Sequence, residues 1–448
     1  MRRLPDAAAR GRAITIDLEG EAIPAVEGEP VAAALVAAGE AVFSRSVKYH
    51  RPRGAYCFSG ACSHCLMRVD GVPNVYSCRT PARPGMRVER QNAYPSAKVD
   101  VFGAIDWMFP RGLDHHAMLA GVPVAEQVMA RVARQLAGLG LLPEREAPER
   151  LPAHELKTRV AVAGGGAAGL AAAAVLGSRG VPFLLFERDS RMGGRLAVGA
   201  PEPEAPLLPD PEALPATALR NNSVALGLFD DEAGRFLLVL SFGPQGPRLT
   251  KVYAERFLLA VGGHPALLPF ENNDLPGVYA GRAASLLARA HGVLPETAAL
   301  VGWGPELYGL AKLYAERGTQ VRALVDLRGP LPVDAPGVAC VGAEPKAHGL
   351  GRVRGFSFTP QGGKRRKVSC EALVVSLPPS PAFELARQGG ARVEFDPGRE
   401  AFVVMADAEG RTQAPDLYAA GELTGALDAR SASESGRRAA EALVGGLS

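Results

Sequence analysis

Two tryptophans and only eight lysines occur in 448 residues. Nearly all of the 50 basic residues are therefore arginines, and the formal charge is only +3. That balance argues against a general nucleic-acid-binding protein, which needs a strongly basic face. No apolar run approaches the roughly 20 residues of a bilayer-spanning helix, so no membrane span is expected. The opening MRRLPDAAARGRAITID has arginines but no apolar stretch behind them. No signal peptide is expected, and a cytoplasmic location follows by default. Six cysteines in such a chain suit ligation or free thiols better than a disulfide scaffold. Also missing are HExxH, a P-loop, a Ser/His/Asp set and any C-x2-C in the second half, so no catalytic residue is named. Glycine, at 52 residues, is plentiful. Such an excess suits tight backbone approaches, as in nucleotide-binding loops.

The text changes character along the chain. Residues 1–100 hold an alternating strand (Ala13–Leu18), a compact helix (Pro30–Ala38) and a Gly/Cys-rich stretch. Residues 101–155 read as a helical linker containing His115-His116, a surface or packing pair, and ending in LLPEREAPERLPAHELK. From Thr158 the pattern is α/β, with a strand–glycine–helix phrase at 158–187 and again at 297–326. The expected division is 156–290 for the first part of one dinucleotide domain, 291–400 for a second, and 401–448 for the return to the first. The proline-rich insert at 200–216 reads as a surface loop.

Cys57, Cys62, Cys65 and Cys78 are spaced C-x4-C-x2-C-x12-C. A [2Fe–2S] cluster needs four converging thiolates, and this spacing with a distant fourth ligand is that of plant-type ferredoxins. Small residues Ser59, Gly60, Ala61 and Ser63 let main-chain N–H groups approach the sulfurs. The hairpin Leu66–Val69 and Val75–Ser77 returns the fourth cysteine. Zinc, which usually takes two close pairs, is the alternative. His64 reads as a solvent-facing loop residue, and Cys340 and Cys370 as packing. Residues 41–90 carry nine Arg/Lys against two Asp/Glu. Lys48, Arg51 and Arg53, just before the cysteine loop, are candidates for meeting an acidic partner or a flavin phosphate, or form a solvated face.

The strand Arg159–Ala163 runs into Gly164-Gly165-Gly166-Ala167-Ala168-Gly169 and a helix over Leu170–Ser178. In such a phrase the first glycine allows the turn, the second admits a pyrophosphate and the third lets helix pack on strand. A second strand, Pro182–Phe186, ends in Glu187, placed for a ribose hydroxyl. Arg188 and then Gly193-Gly194-Arg195 follow, a combination typical of FAD rather than NAD sites. Arg256–Gly263, with Gly262, reads as the strand closing against the flavin nucleotide. Thr412–Glu422, with Gly421 and Glu422, reads as the closing loop, and a helix Ala432–Leu443 follows. The second phrase has Gly302 and Gly304 but no third glycine, with Trp303 and Pro305 where a pyrophosphate would need close approach. Its strand Gln320–Val325 ends in Asp326, which suits NAD. NAD binding and a degenerate structural domain both stay open.

FSRSVKYHRPRG, the cysteine loop, NVYSCRTP, GMRVERQNAYPSAKVD and the FAD phrases, in that order, resemble the α-subunit family of heteromeric sarcosine oxidase. They equally resemble subunits of opine oxidase, hydrogen cyanide synthase, and dye-linked proline and hydroxyproline dehydrogenases. The resemblance implies an α/β fold: an N-terminal ferredoxin-like β-grasp domain joined to a flavoprotein with two Rossmann-like dinucleotide domains. It implies FAD and a [2Fe–2S] cluster, leaves NAD or an interfacial FMN open, and implies a β-type FAD-dependent amine dehydrogenase or oxidase partner in a hetero-oligomer. Amine oxidation would then occur in that partner, with electrons passing to this chain. No folate-binding segment follows in the sequence, so tetrahydrofolate capture is not expected, and the intact cysteine set favours the dehydrogenase branch. The alternatives are a self-contained NAD(P)H-dependent iron–sulfur flavoprotein reductase and a nucleotide-binding structural subunit without redox role.

Overall fold

The computed structural model describes all residues except 6–10, 48, 94, 104–151, 199–208, 244–245, 334–335, 337 and 448. Lys48, His115-His116, most of the expected linker and much of the 200–216 insert lie outside the described residues. Two compact units divide the chain, Met1–Ala147 with Leu267–Leu377, and Pro148–Ala266 with Pro378–Ser448.

In the first unit, Ile14, Ile16 and Leu18 are buried while Ala13 and Thr15 are exposed, so alternation places one strand face in a core. Ala13–Leu18 pairs antiparallel with Glu21–Val26 and parallel with Arg87–Glu89, which continues to Leu66–Val69 and Val72–Tyr76. This five-stranded sheet, with the buried helix Val31–Ala37, is the β-grasp arrangement expected. The same unit holds a seven-stranded sheet ordered Val278–Ala280, Ala372–Ser376, Thr297–Gly302, Gln320–Asp326, Ala339–His348, Gly355–Pro360 and Arg366–Ser369. Its first five strands are parallel and the last two antiparallel. Ala372–Ser376 is buried at every position, as a strand covered on both faces must be.

The second unit is built on the strand Ala153–Ala163, flanked by Phe183–Phe186 and Gly246–Leu259, both parallel to it. Gly234–Gly243 and Ser223–Asp231 extend the sheet antiparallel, and Leu417–Ala419 pairs with Gly246–Leu259. Val160 and Val162 face one core, Ala161 and Ala163 the other. The helix Ala167–Ser178 packs on the helix Ala429–Gly445 so closely that a Cβ at Gly436 would stand 2.0 Å from the Ala168 carbonyl oxygen.

Several elements differ from the sequence expectation. The central strand starts at Ala153, inside text that reads as linker, because its polar first half pairs with Leu249–Ala254. The strand expected over Arg256–Gly263 is the end of a longer one, Gly246–Leu259. The last helix starts at Ala429, where Asp428 Oδ1 accepts the Ser431 N–H at 2.7 Å, rather than at Ala432. The breaks between units fall before the expected divisions at 290/291 and 400/401. Val278–Ala280 already pairs with Ala372–Ser376, and Ser380–Pro381 pairs with Gly263–His264. Both crossings run through proline-marked text, around Pro265 and Pro378, that the glycine phrases overshadow.

Gly436→Val is expected to force the two helices apart and to destabilise the second unit by about 2 kcal/mol. A guanidinium unfolding series should show the earlier midpoint in that unit's transition. An unchanged midpoint would mean that the helices do not meet at this glycine.

Candidate cofactor sites

The cysteine loop owes its shape to left-handed backbone at Phe58 (φ 50°), Gly60 (φ 78°) and Ser63 (φ 53°), which curls residues 57–65 inward. Cys57, Cys65 and Cys78 are buried, Cys62 is half-buried, and none is in a disulfide. The thiol of Cys57 is hydrogen-bonded to those of Cys62 and Cys78, and that of Cys78 to that of Cys65. These bonds draw Cys57 and Cys65 below the ordinary thiol range, while the bonds given up and burial push Cys62 and Cys78 above it. Among the described residues no three His, Cys, Asp or Glu side chains are grouped as ligands of one metal ion. The four sulfurs instead converge, Cys57 and Cys78 on each other with Cys62 and Cys65 beside them, which fits the four thiolates of a two-iron cluster. Ser59 N–H donates to Cys57 Sγ at 3.4 Å, and Ser77 Oγ–H donates to the Cys65 carbonyl at 2.7 Å.

His64 does not face solvent as expected. It is half-buried, its ring tilted against Tyr56 at 6.2 Å between centroids, which gives an apolar wall to the cysteine loop. Arg51 lies 5.6 Å over the Tyr49 ring and 3.7 Å from Asp274. Its side chain stays half exposed. Burial pushes the Cys370 thiol up to about 12, while Cys340 is half-buried.

The three glycines of the first phrase serve different ends. Gly164 has φ 102°, and a Cβ there would stand 2.3 Å from the Ala260 carbonyl. At Gly169 a Cβ would stand 1.8 Å from the Gly164 carbonyl. The fold itself requires both. Gly166 is different, with φ −79° and nothing within 4 Å of an added Cβ. No protein atom requires glycine there, so the open space suits a ligand approaching the main chain. Gly166 caps the helix Ala167–Ser178, whose first N–H groups and dipole favour a phosphate.

Around that opening the structure gathers most of the expected residues. Gly194 (φ 52°) lies against Gly166, where its Cβ would be 3.0 Å from Cα. Ala168 is buried beside Gly421 (φ 76°), and Gly262 (φ 72°) faces Glu422 Oε2. Arg195 Nη1 and Glu422 Oε1 stand 3.2 Å apart in a largely buried pair. Glu187 is buried, and its two oxygens accept the N–H groups of Gly165 (2.8 Å) and Asp189 (2.9 Å). Desolvation raises its pKa against the pull of those bonds. The carboxylate therefore shapes the glycine loop, with lone pairs to spare for a ribose hydroxyl. Arg188 is exposed. Sequence reasoning passed over Ser435, whose Oγ accepts the Gly421 N–H at 3.2 Å, and Met192, whose sulfur lies over Gly165. The periodic start of the last helix at Ala429 would have pointed to Ser435.

Residues 11–93 match the family described as a 2Fe-2S iron-sulfur cluster binding domain, and residues 162–203 an NAD(P)-binding Rossmann-like domain. With the geometry above, the protein is an iron–sulfur flavoprotein of oxidoreductase type, with FAD and a [2Fe–2S] cluster as cofactors. Sarcosine oxidase subunit alpha of Rhizobium meliloti (strain 1021) is 26% identical over 423 residues, 89% of this chain and 43% of that subunit. Hydrogen cyanide synthase subunit HcnA of Pseudomonas aeruginosa is 39% identical over 79 residues, 18% of this chain and 75% of that subunit. In fold, the crystal structure of L-proline dehydrogenase from P. horikoshii matches with a TM-score of 0.71 and 20% identity, covering 99% of this chain and 76% of that one. The chain belongs to the α-type subunit family that includes sarcosine oxidase alpha, opine oxidase A and HcnA. It spans less than half the length of the sarcosine oxidase subunit it matches.

Cys62→Ser should abolish the cluster while leaving flavin bound, since the two sites share no residue. Iron and acid-labile sulfide, about two of each per chain in the wild type, are the measurement. Stoichiometric zinc without sulfide would sink the assignment.

Gly166→Val and Glu187→Ala should part company. The first places a side chain in open space, so the apoprotein's unfolding midpoint should hold while bound flavin nucleotide falls to near zero. The second leaves two N–H groups without their acceptor and should cost about 2 kcal/mol of stability as well. Full flavin occupancy in Gly166→Val would place the nucleotide elsewhere.

Proposed function

We propose that this chain is the FAD- and [2Fe–2S]-containing α-type subunit of a hetero-oligomeric amine or imino-acid dehydrogenase or oxidase, of the sarcosine, proline, hydroxyproline or opine class. A β-type FAD-dependent subunit oxidises the CH–NH donor, and this chain takes the electrons onward. The observation that carries the reading is the pairing, in one chain, of a four-thiol seat with a nucleotide cradle whose residues bind rather than react. Around Gly166 the ionisable side chains are Arg195 and Glu422, locked on each other, and Glu187, held by two backbone N–H groups. None is poised to take a proton from an amine.

In this reading Cys57, Cys62, Cys65 and Cys78 hold the irons, and the buried Ser59 to Cys57 contact adds an N–H donor beside a ligand sulfur. Gly166, Ala167 and Ala168 present main chain to the pyrophosphate, with Gly164 and Gly169 keeping strand, turn and helix close enough to do so. Glu187 fixes the turn and accepts from a ribose. Gly194, Arg195, Gly262, Gly421 and Glu422 wall the remainder of the cradle and exclude water from it. When bound, FAD supplies a two-electron carrier and the cluster a one-electron carrier.

The purified chain alone should oxidise no amine. Co-expressed with a β-type flavoprotein it should give a stable complex that oxidises sarcosine, proline, hydroxyproline or an opine with an artificial dye, and native mass spectrometry identifies the assembly and its nucleotides. A lone chain that turns over NADH rapidly with the same dye would replace this reading by the self-contained reductase.

A further inference from the structure

The second glycine phrase has the topology of a nucleotide site, yet its own side chains fill every place that a dinucleotide would use. Gly302 (φ 147°) is glycine because a Cβ there would meet the Ser376 carbonyl at 1.8 Å, a requirement of the fold. The place of the third glycine is taken by Leu307, a fully buried side chain of the helix Pro305–Glu316. At the helix start, where a pyrophosphate needs N–H groups, stands Pro305, which has none, followed by Glu306. The Glu306 carboxylate is clamped by Arg282, with Nη2 at 2.8 Å and Nε at 3.2 Å from its oxygens. A negative charge thus already occupies the positive end of the helix.

The ribose end is filled in the same way. Asp326, buried at the end of its strand, accepts the Tyr308 hydroxyl at 2.7 Å on one oxygen. Its other oxygen takes the N–H groups of Arg328 (2.8 Å) and Gly329 (2.7 Å). Arg328 stands just beyond the acidic strand end, where a 2′-phosphate would find a cation. Its guanidinium lies instead 4.0 Å over the Trp303 ring, across the glycine turn.

The same part of the unit holds the iron–sulfur domain. At the end of the strand Val278–Ala280, the Ala280 N–H donates to the carbonyl of Tyr56 at 3.1 Å, one residue before the ligand Cys57. Gly54 is glycine because a Cβ there would stand 2.2 Å from the Ala41 carbonyl, and Pro276 lies beside it at 3.0 Å. The short strand Arg2–Arg3 pairs with Val293–Leu294, and Arg3 reaches Glu29 through two hydrogen bonds of 2.8 and 2.7 Å. Chain on the N-terminal side of the cysteine loop is therefore tied to the second dinucleotide-type fold.

We propose that this second dinucleotide-type fold takes no pyridine nucleotide and serves as the seat of the iron–sulfur domain. Reduced pyridine nucleotide then cannot enter the protein next to the cluster. The claim does not depend on which subunit partners the chain.

Two experiments on the purified full-length protein and its variants test it. NADH and NADPH are titrated calorimetrically into wild type, Asp326→Asn and Gly166→Val. The expected result is no binding, or binding that Gly166→Val abolishes and Asp326→Asn leaves unchanged. A dissociation constant that Asp326→Asn weakens about tenfold or more, with Gly166→Val unaffected, overturns the proposal. For the seat, Ala280→Pro removes the N–H that Tyr56 accepts, at a strand end whose φ of −67° proline can adopt. Amide exchange of residues 41–58 should rise about fivefold or more, the loss of roughly one hydrogen bond, with two irons retained. Should iron be lost as well, Arg3→Gln, remote from the ligands, gives the same readout. Unchanged exchange in both variants overturns the seat.

Discussion

Main chain meets main chain without intervening side chains at three points in the nucleotide unit, and the rest of the cradle depends on this. Gly164 against Ala260, Gly169 against Gly164 and Gly436 against Ala168 each bring a carbonyl oxygen within about 2 Å of where a Cβ would be. Those contacts bring strand, turn and two helices close enough for the helix start at Gly166 to stand open. The open position is then defined by contrast. Of the glycines in the phrase, Gly166 alone has both ordinary φ and empty surroundings, so no protein contact requires glycine there.

The two glycine phrases of the chain show how little separates a cradle from its imitation. Both have a buried parallel strand, a turn with left-handed glycine, a helix and an acidic strand end. In the first, the acidic Glu187 is met only by backbone N–H groups and the helix start is uncharged. In the second, Glu306, Arg282, Tyr308 and the Trp303–Arg328 stack satisfy one another. Buried or half-buried charges must be paired, and pairs made within the chain leave a ligand little to gain. A domain of this kind still supplies a largely parallel sheet, and the iron–sulfur domain is tied to it by the Ala280–Tyr56 backbone bond and the Arg3–Glu29 pair.

The cysteine loop follows a different physics. Its left-handed residues turn four sulfurs inward, and the thiols relieve their own burial by bonding pairwise. Some of the arginines that crowd this segment of sequence are spent on contacts within the unit. Arg45 holds the Ala97 carbonyl, Arg90 reaches Glu19, and Arg51 stands by Asp274.

What the sequence by itself determined was whatever depends on neighbours along the chain. Cys57, Cys62, Cys65 and Cys78 carry their meaning in their spacing, and the alternation of Ala13–Leu18 and the turn of Gly164–Gly169 are local constraints of φ and side-chain period. Tertiary structure alone decided matters between distant segments. The polar half of Ala153–Ala163 is strand only because Leu249–Ala254 lies beside it. Asp326 looked like a ribose acceptor until Tyr308 was placed on it. His64 read as a loop residue until Tyr56 covered its ring. In each case the deciding partner is a side chain whose reach is set by packing. Sequence states which groups could pair, and only the folded chain states which of them already have.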